Sequence, residues 1–421
     1  MSNRKFYYGW VIVFTSFLIF FVVIGVSVSP SSLFIVPVTD HFGFSRGDFS
    51  ITLTLSTIIN VLLQLFFGSL LKWLGIRKLI IIGVLMAPIA FLISYFSNTL
   101  VGFYAASFLT GICLALASIT SISLLLNNWF TTRQGLLLGL IASGSGFGGS
   151  LFSIIIGNQI AQNGFKSAYL LSAILVAFAA LPVIFLIRSH PKKDPAGSEN
   201  RHIDYSPSLE HTPYSTNKLS FKNFINSPAN RIGMLAVFFI GCAIHPVLAS
   251  APAYLVEKGF DTFFGAAITS AAFLVLAIAK IVIGLIYDRV GIRISLTFTL
   301  SALIISVILI ILAAERWLVW VFALFSGVAV STNAVLVPLY AKTLLGDRNY
   351  SQFLGIFIAT LAAGIGISTP IVNYIYDLTG TYTWGFALLG ISGGVALGLV
   401  FWSLHIKKDL FLRNIEGITS P

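Results

Sequence analysis

One lysine interrupts FLVLAIAKIVIGLIY, Phe273 to Tyr287, a stretch with no other charged residue. An ammonium in so apolar a run costs free energy unless it faces water, a counter-charge or a ligand. Lys280 lies eight residues before Asp288, roughly 12 Å deeper along a helix at about 1.5 Å per residue. Two readings are open. Lys280 marks a solute pathway and pairs with an anion, or its long stem snorkels back to the surface.

Four other polar side chains sit in apolar surroundings, each with a chemical and a packing reading. Gln64 offers an amide to a carboxylate or hydroxyl, or forms a helix–helix hydrogen bond. His245, just before Pro246, binds solute or carries a proton near its ordinary pKa of about 6.5, or is a satisfied packing residue. Asn60 and Asn333 line a cavity or join helices. Tyr340 is a further candidate for binding solute, or, lying closer to a helix end, belongs only to the gate. No Asp or Glu falls deep in an apolar stretch, which disfavours a cationic solute. The spacing of the histidines fits no metal-site pattern, and no Walker motif points to ATP.

These groups need apolar helices to position them. Hydrophobic types make up 57% of the 421 residues and charged types 9%, and mean hydropathy is +0.95. Average soluble domains carry about 25% charged residues. Runs of roughly 20 apolar residues cross a bilayer as helices. Twelve are predicted, at about 10–36, 47–71, 78–97, 99–126, 135–161, 167–187, 231–256, 263–287, 294–314, 317–343, 351–376 and 382–404. The first is read as a span and not as a cleaved leader, because it is long and no small-residue cleavage site follows. Cys113 and Cys242 fall inside predicted helices and are expected as free thiols.

The net charge of +11 would suggest nucleic acid in a soluble protein. Its distribution argues otherwise. Of the 25 lysines and arginines, only Arg46, Lys166, Lys258 and Arg316 fall on predicted outer loops, and only Lys280 within a span. The positive-inside rule then places both termini in the cytoplasm of a plasma (inner) membrane protein.

GSLLKWLGIRK (Gly68–Lys78) and GLIYDRVGIRI (Gly284–Ile294) align at an offset of 216. The same offset pairs Gly25 with Gly241, Gly43 with Gly259, Gly111 with Gly327, Gly148 with Gly364, and Gln64 with Lys280. An offset kept along a whole half implies a duplicated six-helix unit. The expected organisation is an N-terminal bundle over 1–188, a cytoplasmic linker over 189–229 with a short interfacial helix near FKNFI, and a C-terminal bundle over 230–421.

The duplicated stretch resembles the signature of the major facilitator superfamily, roughly G-x-x-x-D-R-x-G-R-[RK]. The second copy keeps Gly284, Asp288, Arg289, Gly291 and Arg293; the first keeps Gly68, Gly75, Arg77 and Lys78 but has Lys72 where the acid belongs. YYGWVIV, NNWFTTRQGLLLGLIASGSGFGG and the basic Lys280 four positions before Gly284 are similar to the oxalate–formate antiporter and monocarboxylate porter branch. The resemblance implies an all-α membrane protein of twelve spans in two pseudo-symmetric bundles, with the solute near the midplane. It implies secondary active transport by alternating access, coupled to a proton or an exchanged anion. In that branch a helix-8 base pairs with the substrate carboxylate, here Lys280. The second base usual in helix 11 of oxalate carriers is absent from SQFLGIFIATLAAGIGISTPIVNYIY, which points to a monocarboxylate. The expected protein is a monomer in lipid with a small organic anion as partner, no cofactor, no nucleic acid and no enzymatic activity. The alternatives are another organic anion or a neutral solute with Lys280 structural, and a non-transporting membrane sensor.

The motif residues Lys72, Arg77, Asp288, Arg289 and Arg293 are expected at an inner gate, closed by a Lys72–Asp347 pair. By the repeat, Lys72 faces the start of helix 11, where the helix dipole disfavours a cation and Asp347 reverses the local sign. Lys72→Asp should shift the population toward the inward-facing state, and adding Asp347→Lys should restore it, read by cysteine accessibility. A double swap no better than the worse single variant would separate the two residues.

Overall fold

The computed structural model describes residues 7–44, 46–190, 221–260 and 262–416. Among the described residues all regular structure is helical. The chain falls into two compact units, Met1–Thr212 and Pro213–Pro421.

The first unit holds α1 (Gly9–Leu18), a π-helical turn (Ile19–Ile24), α2 (Gly25–Val28), a 3-10 turn (Ser29–Phe34), α3 (Ile35–Phe42), α4 (Arg46–Leu65), α5 (Phe67–Leu74), α6 (Ile76–Phe96), α7 (Leu100–Leu116), α8 (Ile119–Trp129) and α9 (Gln134–Leu186). The second holds α10 (Phe221–Asn226), α11 (Pro228–Ala249), α12 (Ala251–Glu257), α13 (Thr262–Ile311), α14 (Arg316–Val330), α15 (Thr332–Thr379) and α16 (Thr383–Glu416).

Among the described residues eight helical runs are long and apolar enough to cross a membrane, and the pair Ile51–Leu65 and Phe67–Leu74, bent by 67°, makes a ninth. Three of the runs turn at an internal glycine with non-helical backbone: α9 at Gly164, α13 at Gly291 and α15 at Gly346. Dividing them there accounts for the twelve predicted spans.

Gly75 and Gly291 are the paired glycines of the duplicated stretch, and both adopt a positive φ, 76° and 78°. A side chain is strained there, so each glycine permits the sharp reversal between two spans. Gly43 and Gly259 also share a positive φ, so the repeat read from the sequence recurs in the backbone. Close helix contacts repeat as well. In the first unit a Cβ on Gly25 would lie 2.9 Å from the Gly148 carbonyl carbon, and one on Gly148 would collide with the Phe21 carbonyl. In the second, Gly241 meets the Leu361 carbonyl and Gly364 the Phe238 carbonyl. Without side chains the backbones approach closely, which is how small residues drive helix association in lipid.

Most of the predicted linker lies outside the described residues. The short helix expected near FKNFI is α10, where Phe224 stacks on Phe353 at 4.2 Å between centroids. Cys113 and Cys242 are free thiols.

Candidate functional site

One span of the first unit leaves helical geometry in mid-course at two residues that are neither proline nor glycine. In the first unit α7 ends at Leu116, Ala117 and Ser118 leave helical geometry, and α8 restarts at Ile119. A break frees backbone groups that lipid cannot satisfy. Gln64 on α4, only 2% exposed, fills this one. Its Nε2 donates to the Ala115 carbonyl and the Ser118 Oγ, both at 3.1 Å, and its Oε1 accepts from Thr120 Oγ1 at 2.9 Å. Of the two readings of Gln64, the helix–helix hydrogen bond describes its contacts. Gln64→Leu should leave these buried groups unsatisfied, at about 1–3 kcal/mol each, and lower the unfolding temperature in detergent. A wild-type melting curve for Gln64→Leu would mean the break is satisfied by other groups.

In the second unit α14 passes to α15 at Ser331, which keeps helical backbone angles (φ −60°, ψ −23°), so the turn there is far milder than the break at Ala117–Ser118. The helix contacts leading to it repeat those of the first unit. Gly111 packs on the Ser56 carbonyl and Ile59, and Gly327 on the Ala272 carbonyl and Val275, each pair 216 apart. Lys280 therefore occupies on α13 the place of Gln64 on α4. It is 6% exposed, so its head group is not a snorkelled surface charge. A lysine has three N–H groups and can serve a carbonyl and an anion together.

The remaining predicted residues separate into two groups. His245 is exposed on α11, and among the described residues its imidazole has no hydrogen-bond partner. The helix continues through Pro246, and α11 passes to α12 at Ser250. Asn333 is half-buried just past the α14–α15 junction. Asn60 is half-buried one turn before Gln64, and its Oδ1 is buried with no partner. Tyr340, by contrast, is fully buried with its hydroxyl bonded to Ser403 Oγ, which makes it part of the packing of α15 on α16. Sequence reasoning passed over Ser16, Ser27 and Thr332, whose buried hydroxyl oxygens also lack a partner. In sequence they look like any hydroxyl that bonds back to its own helix.

The duplicated motif forms the polar end of each unit. Lys72, Arg77, Asp288, Arg289 and Arg293 are all exposed. Arg77 Nη2 lies 3.5 Å from the Ile184 carbonyl. Asp347 pairs with Lys342 at 3.2 Å, so it already has a cation within its own unit. Lys407 donates to the Thr343 and Leu344 carbonyls at the close of the first half of α15, a favourable place for a cation at a helix C-terminal end. The YYGW and NNWF stretches form one knot in the first unit. Tyr7 donates to the Trp129 carbonyl, Tyr8 to the Leu186 carbonyl and Trp129 Nε1 to the Arg188 carbonyl, while the Arg188 guanidinium sits 4.3 Å over the Tyr8 ring. Among the described residues no cluster of His, Cys, Asp and Glu is suited to a metal ion.

Residues 13–315 and 262–416 match the family model described as Major Facilitator Superfamily. Monocarboxylate transporter 12 of Mus musculus is 23% identical, over 95% of this chain and 87% of the relative. Monocarboxylate transporter 12-B of Danio rerio is 24% identical, over 90% and 83%. Among solved structures, the E. coli fucose:proton symporter superposes with a TM-score of 0.67 at 16% identity, covering 94% of this chain and 98% of the symporter.

Proposed function

The chain belongs to the Major Facilitator Superfamily, and from that premise we propose that this membrane transporter carries a small organic anion, a monocarboxylate, by alternating access. The observation that carries the reading is Lys280: a buried ammonium on α13, at the place where the other unit has a neutral amide. One buried positive charge matches one carboxylate, and a charge-assisted hydrogen bond to it is roughly twice as strong as a neutral one. No acidic residue lies deep in a predicted span, which favours an anionic over a cationic solute. The names of the vertebrate relatives point the same way.

Competition tests the substrate class. In proteoliposomes, formate, lactate and pyruvate should each inhibit uptake of a labelled monocarboxylate, and oxalate, with its second charge unmatched, should inhibit far less. Equal inhibition by oxalate would remove the argument from charge.

His245 is the candidate for a coupled proton, because it is exposed inside a span-length helix and its ring makes no hydrogen bond to the described residues. Uptake should follow an ionisation between about pH 5 and 8, and His245→Asn should flatten that profile while leaving anion exchange intact. An unchanged profile in the variant would assign the residue to packing.

A further inference from the structure

Outside the Lys280 region, the first unit holds a partly open cavity of about 210 Å³ between its spans. Its lining includes the hydroxyl residues Ser27, Ser31, Thr52, Ser56, Ser107 and Thr110, and among the described residues none that line it carries a charge. Five of these hydroxyls have committed their protons to their own helices: Ser31 to the Val28 carbonyl, Thr52 to Phe49, Ser56 to Leu53, Ser107 to Phe103 and Thr110 to Ala106. They are left with oxygen lone pairs and present a wall of acceptors. Ser27 differs: it is 7% exposed and its Oγ has no partner among the described residues, leaving it able to donate or accept.

The internal repeat provides a control for whether the fold itself requires these hydroxyls. At an offset of 216, Ser27, Ser31, Thr52, Ser56 and Ser107 correspond to Ala243, Val247, Ile268, Ala272 and Ala323. All five of those are buried. Only Thr110 has a hydroxyl counterpart, Ser326. The same architecture thus packs apolar side chains at these places in one unit and keeps hydroxyls around open space in the other.

We propose that this cavity is a second binding site, for a small neutral solute bearing several O–H donors, of the short-polyol class. A cation or anion would be buried without a counter-charge, which is costly. An apolar guest would leave Ser27 and the acceptor wall unsatisfied. The hydroxyls of a short polyol supply donors to some of the committed oxygens and one group of either kind to Ser27. The volume is room for several waters at about 30 Å³ each, or for a short polyol in their place.

Equilibrium dialysis of the purified full chain against labelled glycerol and labelled erythritol tests this. Saturable binding is expected, weakened about fivefold by Ser27→Ala and about fivefold again by adding Thr110→Val, one neutral hydrogen bond lost each time. Ser326→Ala, in the other unit, and Lys280→Gln should bind as wild type. Monodisperse elution of each variant guards against misfolding. The site is refuted if wild-type protein binds neither polyol saturably, if the cavity variants bind as wild type, if Ser326→Ala weakens binding as much as they do, or if labelled sodium binds saturably in place of the polyols.

Discussion

Replacing Lys280 with glutamine should abolish high-affinity binding of a monocarboxylate while the protein still folds. Loss of the charge-assisted hydrogen bond is worth about 1.5–3 kcal/mol, or about 10- to 150-fold in affinity. Folding should survive because the first unit shows what an amide does at that place: Gln64 satisfies the Ala115 carbonyl at the break of its partner helix. Lys280→Leu offers no donor and should lose thermal stability as well as binding. Lys280→Arg should retain part of the affinity, since the charge persists on a differently shaped head. Titration of labelled lactate against each purified variant, beside its melting curve in detergent, separates the two roles. Wild-type affinity in Lys280→Gln would end the anion-anchor reading whatever the melting curves show.

The second large effect is expected at Gly148. A side chain there meets the Phe21 carbonyl, and Gly25 faces Gly148 from the neighbouring helix, so the obstacle is backbone and not a movable side chain. Gly148→Val should cost about 3 kcal/mol or more, the upper range for forcing extra volume into a packed contact, and show as a fall in unfolding temperature. Gly394 is the control. It is helical, and a Cβ added to it meets nothing within 4 Å, so Gly394→Ala should be neutral or stabilising by up to about 1 kcal/mol. Equal melting temperatures for Gly148→Val and wild type would show that α9 and the first span can separate without loss.

Much of this architecture is legible in the sequence because glycines perform fixed tasks. Gly75 and Gly291 share an unusual backbone conformation, and Gly111 and Gly327 pack on residues that are themselves 216 apart. Duplication preserved these positions because a side chain at any of them is strained or obstructed. The broken helix was not legible. Ala117-Ser118 carries no proline or glycine, and what stabilises that break is a glutamine more than fifty positions away. Such contacts arise from helix packing, and no local pattern encodes them. The candidate site was legible in part. Lys280 is conspicuous as a lone charge in an apolar run, and its burial followed. Gln64 and Tyr340 look equally polar in sequence, yet their hydrogen-bonding capacity is engaged by neighbouring helices. The cavity hydroxyls were overlooked because serine and threonine are common in spans, where most bond back to their own helix.

The most direct measurement is uptake of labelled lactate into proteoliposomes containing the purified full chain, wild type beside Lys280→Gln. The account predicts saturable, time-dependent uptake by the wild type, inhibited by unlabelled pyruvate, and uptake at the protein-free level for the variant. Lactate uptake that is equal in the two proteins, or absent from the wild type while a neutral solute is carried, would contradict it.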